Sequence, residues 1–410
     1  MRKYLKTTAI LLSACMLAGC GSEKKSDNNK TEQPTTKNKI VASESESDKY
    51  EADTLTEDIE RKEENEVIAE EKIIDYQKYL HVLNIISEKN GNAVYSPVSL
   101  NSCLDVYSHM IEKDDVYDEI RDFTSAYDYI NYENLELDGV STYSLINRIW
   151  ANKNKNLNFD NCDVPKSFVE TIDMSDSKSA TKTKNDFVAE NTDGFIKSTP
   201  STLNDKTYID VMNVAYFSDC WAVGEADVCK GTKIFHNYDG TISDVTMIEL
   251  GHSYYYENST CYVVPVSYYS GMYFYAVYPK NSIDDVNLDG IFDEKNRVNA
   301  SASIKMPEFE SAKEYKINDY ADKLGLSHLK DAKYLFTDGN NLSIDLMQVA
   351  KIKVNRKGTE AAAVSEMIVC GSNLSSGSPI DLTFDKPFIY MIEDCNGDVA
   401  FMGKVTNFNK

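Results

Sequence analysis

Near the C-terminus lies the run Gly358-Thr359-Glu360-Ala361-Ala362-Ala363-Val364-Ser365, which offers little side-chain reactivity but a backbone free to pair. In an extended chain, side chains alternate between faces. Thr359, Ala361, Ala363, Ser365, Met367, Val369 and Gly371 then share one uncharged face, with Glu360 and Glu366 on the other. Such a face can enter a β-sheet without steric objection, although the same composition also describes an exposed alanine-rich loop. A second reactive group is the Cys20 thiol, which follows small residues in Leu17-Ala18-Gly19-Cys20, the form of a bacterial lipobox, and is placed to carry a diacylglycerol. Enzyme constellations are missing: there is no G-x-S-x-G elbow and no H-E-x-x-H, and His81, His109, His236, His252 and His328 stand singly. Asp285-Val286-Asn287-Leu288-Asp289-Gly290 imitates a calcium loop that extends to Asp293. Its twelfth position is Asn296 rather than an acidic bidentate ligand, so an acidic turn is expected there and no metal or cofactor is assigned.

These groups need a scaffold, and composition permits a large one. The 410 residues are 42% hydrophobic, with 43 Lys and Arg against 66 Asp and Glu, a formal charge of -23. That balance argues against nucleic acid or an anionic membrane surface as partner and favours solubility. Residues 1–19 read as a lipoprotein signal, with Arg2, Lys3 and Lys6 ahead of an apolar stretch too short to span a bilayer. Residues 20–70 begin with the lipidated Cys20 and continue as a polar stretch that cannot bury a core, a tether of roughly 40 Å end to end. Residues 71–410 show neither repeat nor internal linker and are expected to form one domain. It opens with an amphipathic helix marked by Ile74, Tyr76, Tyr79, Leu80, Leu83 and Ile86. Of nine cysteines, Cys15 leaves with the signal and Cys20 is lipidated. The other seven are too sparse for a disulfide scaffold, and a Cys220–Cys229 bridge is left open.

Several separated blocks resemble the serpin family. The Gly358–Ala363 run resembles the hinge of an inhibitory reactive-centre loop, Phe384-Asp385-Lys386-Pro387-Phe388-Ile389-Tyr390 the C-terminal signature, and Ala400–Val405 the last strand. Asn92–Leu100 resembles the buried start of helix B. Asn213-Val214-Ala215-Tyr216-Phe217 with Trp221 resembles the third strand of the central sheet running into the breach. Phe235-His236, Asp239-Gly240-Thr241, Met306-Pro307-Glu308-Phe309 and Leu324-Gly325-Leu326 follow the same family order.

The resemblance implies an α+β serpin fold: a large central mixed sheet, further sheets, about eight or nine helices, and an exposed loop from about Glu360 to Asp381. It implies a gap between the strand containing Val211 to Phe217 and that containing Leu342 to Asn355. The implied activity is suicide trapping of a protease, with Thr359 among the first side chains to enter the sheet; a non-inhibitory serpin-fold binding protein is the alternative. Gly358, Thr359, Glu360, Ala361, Ala362 and Ala363 form the implied hinge. Ser96, Ser99, Asn213 and Gln348 belong to the implied shutter and Trp221 to the breach, although Trp221 also suits ordinary core packing. Gln348 stands where the family usually has histidine, and Arg356-Lys357 where acidic residues usually precede the hinge glycine. The reactive bond falls at Ser372-Asn373, with Cys370-Gly371 and Leu374-Ser375 as alternatives. Since no Lys or Arg occurs between Gly358 and Lys386, the expected partner is a serine protease with a shallow primary pocket, elastase-like or subtilisin-like; a cysteine protease is the other class. A monomer on the extracellular face of the membrane is expected.

If Cys20 carries the anchor, Cys20→Ala leaves neither lipid nor spanning helix. The variant is expected in the soluble fraction after membrane pelleting, and its recovery in the pellet would refute lipid anchoring.

Overall fold

The computed structural model describes residues 74–126, 129, 135–137, 140–337, 342, 344–359 and 377–408. All belong to the second of two compact units, Glu70–Lys410. Among them are five α-helices: α1 (Tyr76–Ile86), α2 (Pro97–Ser108), α3 (Asp115–Phe123), α4 (Ser177–Glu190) and α5 (Ala321–Leu324). Five 3-10 turns accompany them, so the described residues hold fewer helices than the eight or nine expected. One cause is visible after residue 152, where Asn and Asp side chains capture nearby backbone N–H groups. Asn152 Oδ1 accepts from Asn154 N at 3.1 Å and Asn158 Oδ1 from Asp160 N at 2.9 Å, bonds that compete with helix.

The central sheet carries β1 (Ser141–Asn152), β2 (Ile209–Cys220), β3 (Phe309–Lys316), β4 (Ile344–Asn355) and β5 (Gly358–Thr359), in the spatial order β3-β4-β5-β2-β1. A seven-stranded antiparallel sheet runs from Ala93–Tyr95 through Val399–Val405 and Phe388–Glu393 to Arg297–Val298. A four-stranded sheet places Ile380–Thr383 parallel to Ala302–Pro307. The signature segment supplies core, with Phe384, Phe388 and Tyr390 fully buried. Gly403 lets Tyr390 close on the neighbouring strand, since a Cβ there would sit 2.3 Å from the Tyr390 hydroxyl.

β2 is buried along nearly its whole length because both faces are covered. Val211, Ala215 and Phe217 face the side of α2, while Met212 and Val214 pack with Ala180, Val188, Ile196 and Leu203 from α4 and the segment after it. This explains why β2 reads as a continuous apolar run interrupted by Asn213.

α2 is itself fixed from within. Ser96 caps it by accepting from Ser99 N at 3.1 Å, and Pro97 occupies its first turn. Near its other end the buried Asp105 carboxylate meets the Arg121 guanidinium of α3 and accepts from Tyr129 N at 2.8 Å. The same carboxylate, 3.7 Å from His109, holds that imidazole's pKa above its ordinary value. Arg121→Met would remove the guanidinium from the buried Asp105 carboxylate and leave it His109 at 3.7 Å. A loss of about 3 kcal/mol in urea unfolding is expected, and an unchanged midpoint would count against Asp105 as the anchor of α2.

Candidate functional site

β2 and β4 meet in parallel at their lower ends, Ile209–Ala215 against Ile344–Ala350. Above these pairs the strands diverge and β5 occupies the fork. Gly358 and Thr359 pair antiparallel with Asn355 and Val354 on one side and with Cys220 and Asp219 on the other. This departs from the sequence expectation in two ways. The lower part of the seam is a closed ladder rather than a gap, and Thr359, 1% exposed, is already inside the sheet. The tight reversal at Arg356-Lys357 brings it there. Gly358 has φ +148°, and a Cβ at this position would lie 2.1 Å from the Asp219 carbonyl oxygen. Only glycine fits the fork.

The shutter candidates do converge. Asn147, Asn213 and Gln348 are direct neighbours across β1, β2 and β4, all on the α2 side. Ser99 Oγ donates to Asn213 Oδ1 at 2.5 Å, and Asn213 Nδ2 donates to Asn147 Oδ1 at 2.8 Å and Ser102 Oγ at 3.3 Å. Gln348 Nε2 donates to the Ser96 carbonyl at 2.6 Å, while its buried Oε1 has no partner among the described residues. Glutamine therefore keeps a tie to α2 from the position expected to hold histidine. Each side of the seam is bonded to the start of α2, and no side-chain hydrogen bond among the described residues joins Asn213 to Gln348. Ser102 and Asn147 were missed in the sequence, although both left signals. Ser96, Ser99 and Ser102 recur every third residue on one helix face, and Asn147 interrupts a buried strand as Asn213 does.

The top of the fork is lined by aromatic rings. Trp221, 1% exposed, stacks on Tyr268 at 4.7 Å with an 11° interplanar angle, and its Nε1 donates to the Asn355 carbonyl at 3.0 Å. The Tyr268 and Thr359 hydroxyls lie 2.5 Å apart, and burial raises the phenol's pKa well above its ordinary value. The Asp219 carboxylate accepts from Ser141 Oγ at 2.6 Å, Cys220 N at 2.8 Å and Ser270 N at 3.2 Å. Burial still holds Asp219 above the usual carboxylate range. Neither Tyr268 nor Asp219 carried a local sequence signal, because their importance comes from packing against a hinge far along the chain. Arg356 is answered by Glu225 at 3.6 Å, and its N–H donates to Glu308 at 3.0 Å.

Cys220 and Cys229 are free thiols. In the calcium-like segment, Asn287 Oδ1 accepts from Asp289 N, and Asn296 Nδ2 donates to the Gly290 carbonyl, both at 2.8 Å. Cys20, Glu360, Ala361, Ala362, Ala363 and the reactive-bond candidates Ser372, Asn373, Cys370, Gly371, Leu374 and Ser375 lie outside the described residues.

The site is thus a mixed sheet whose two central strands fork around Gly358 and Thr359 above a buried polar row. The family model "Serpin (serine protease inhibitor)" matches residues 79–408, and the chain belongs to the serpin family, a family of protease inhibitors rather than of enzymes. An uncharacterized serpin-like protein of Thermococcus kodakarensis is 25% identical over 284 residues, 64% of this chain and 66% of that protein. The chain spans a little under two thirds of the length of the curated relatives it matches first. The crystal structure of tengpin, a thermophilic serpin in the native state, gives a TM-score of 0.69 at 19% identity, covering 82% of this chain and 96% of tengpin. Thyroxine-binding globulin in complex with thyroxine gives 0.66 at 19%, over 80% and 98%. At such identities the structural likeness shows the fold alone.

Gly358→Ala is expected to expel β5 from the fork. Trp221, one of two tryptophans in the chain, reports this directly: its emission should shift to the red as the Asn355 contact loosens. An unshifted spectrum in the folded variant would show that the fork tolerates a side chain.

Proposed function

We propose that this chain inhibits serine proteases as a suicide substrate, anchored through lipid on Cys20 to the extracellular face of the cell membrane. Residues 1–19 are the signal, 20–70 the lipidated tether and 71–410 the inhibitory domain. The observation that carries this reading is the seating of Gly358 and Thr359 between the diverging ends of β2 and β4. Insertion would propagate from these two residues down the β2–β4 ladder, which must open to admit the strand.

A protease serine hydroxyl attacks the carbonyl of the reactive bond, Ser372-Asn373 or its neighbours at Cys370-Gly371 or Leu374-Ser375. The amine leaves and an ester links loop and enzyme. The freed strand then zips down the seam. With Thr359 already placed, Ala361 is the next inward side chain and Ala363 follows, so each step adds hydrogen bonds on two sides without a bulky group to bury. β2 and β4 must part by about 4.8 Å to admit the strand. The buried row helps, since Asn213 and Gln348 are held to α2 separately. Fifteen inserted residues correspond to roughly 50 Å of travel for the tethered protease. Removing its serine from its base and oxyanion donors leaves the ester to hydrolyse slowly. The absence of Lys and Arg between Gly358 and Lys386 favours a target with a shallow, uncharged primary pocket, elastase-like or subtilisin-like.

Incubation with a panel of serine and cysteine proteases, followed by denaturing electrophoresis, should give a covalent complex with an elastase- or subtilisin-like enzyme. Loop cleavage by any protease should also raise the melting temperature by at least about 10 °C, because a central strand is gained. A cleaved chain that melts with the intact one, with no complex formed, would make this a non-inhibitory binding protein.

A further inference from the structure

On the face of the central sheet opposite α2, the segment 191–208 leaves α4 and crosses the seam that an inserting strand must open. Its apolar residues Ile196 and Leu203 pack with Met212 and Val214 of β2 and with Met347 and Val349 of β4, on both sides of that seam. Its polar attachments also lie on both sides. Ser201 N donates to Glu314 Oε2 at 3.0 Å and Ser201 Oγ to Glu314 Oε1 at 2.6 Å, tying the segment to β3. The Ser201 hydroxyl in turn accepts from the ammonium of Lys184 on α4, and that ammonium lies 3.3 Å from Asp210 Oδ2 on β2. Lys184 is fully buried and Asp210 is 3% exposed. On the β4 side, Lys351 Nζ donates to the Phe195 carbonyl at 3.1 Å. Beneath the segment a cleft of about 500 Å³ remains, lined by Pro200, Glu310, Ala312, Val349 and Lys351.

We propose that the chain Glu314–Ser201–Lys184–Asp210 is a clamp across the seam that sets the rate of strand insertion. The inference deepens the trapping reading and rests on it. Glu314 belongs to the pair β3–β4, and Asp210 belongs to β2. Admitting a strand between β4 and β2 moves these two carboxylates apart by about one strand spacing, 4.8 Å. A relay of direct contacts, none longer than 3.3 Å, cannot stretch that far, so at least one link breaks during insertion. Breaking it strips a buried ammonium or a carboxylate of a partner, a cost met as the strands part; the link stays open in the inserted form, where it no longer contributes. The clamp holds the inhibitor in its uninserted form until cleavage supplies a strand that outcompetes it. Lys184, Ser201 and Glu314 are positioning residues: none touches the protease.

The test uses the full chain and three variants, Lys184→Met, Ser201→Ala and Glu314→Gln. Lys184→Met leaves Asp210 buried alone and risks misfolding; the partly exposed Ser201 and Glu314 do not depend on that outcome. Each protein is mixed with a labelled synthetic peptide matching residues 360–371, and incorporation is followed by native electrophoresis, so no target protease is needed. Ser201→Ala, which loses the hydroxyl's bonds to Lys184 and Glu314, and Glu314→Gln, which loses the acceptor's charge, should take up peptide at least about tenfold faster than wild type, the effect of weakening charge-assisted hydrogen bonds at the barrier. Melting temperatures of the loop-cleaved forms should stay together, a pattern that general destabilisation would not give. Equal uptake rates alongside a cleavage-induced rise in melting temperature would overturn the clamp and leave the trapping reading standing. If no protein takes up peptide and cleavage raises no melting temperature, both fail.

Discussion

The structure depends on a parallel pairing that is only half complete. β2 and β4 point the same way, and a parallel pair needs long connections rather than a hairpin, so nothing local forces the two strands to stay together to their ends. Their lower residues form a regular ladder, and their upper residues diverge around Gly358 and Thr359. A chain running antiparallel to both neighbours fits between them at the cost of replacing one ladder by two. That asymmetry in hydrogen bonding separates this sheet from an ordinary core.

Everything packed on the sheet meets the same seam. From one face the start of α2 reaches both sides through Ser96 and Ser99, using a row of amides that would be costly to bury unpaired. From the other, segment 191–208 is tied to β3 and β4 through Ser201 and Lys351, and its Ser201 hydroxyl meets Lys184, whose ammonium reaches Asp210 on β2. Well-packed apolar layers alone would resist separation over their whole area. Here discrete polar ties are added to the apolar packing of Ile196, Leu203, Met212 and Val214.

The fork explains the aromatic lining above it. Trp221, Tyr268 and Phe217 form a stacked and edge-to-face group at 4.7 and 5.0 Å, and Asp219 accepts from the adjoining Cys220 N–H. Arg356 and Lys357 fit the same arrangement: their carbonyls accept from Ala226 N at 2.7 Å and Trp221 N at 3.1 Å, so the reversal before the hinge is bound by backbone. The Arg356 guanidinium faces Glu225 at 3.6 Å, and its backbone N–H donates to Glu308.

The sequence disclosed the fold class through its resemblance to the serpin family, carried by separated blocks such as the signature around Phe384 to Tyr390. It also placed Ser96, Ser99, Asn213 and Gln348 in one group through family resemblance, and the first helix through its spacing. Only the tertiary structure decided that the seam is closed below and that Thr359 is already buried. Both facts turn on strand register between segments more than a hundred residues apart, which no local pattern encodes. The same holds for Asn147, Tyr268, Asp219 and the Lys184 relay. Each looks like an ordinary strand or helix residue in the sequence, and its role comes from what the fold packs against it.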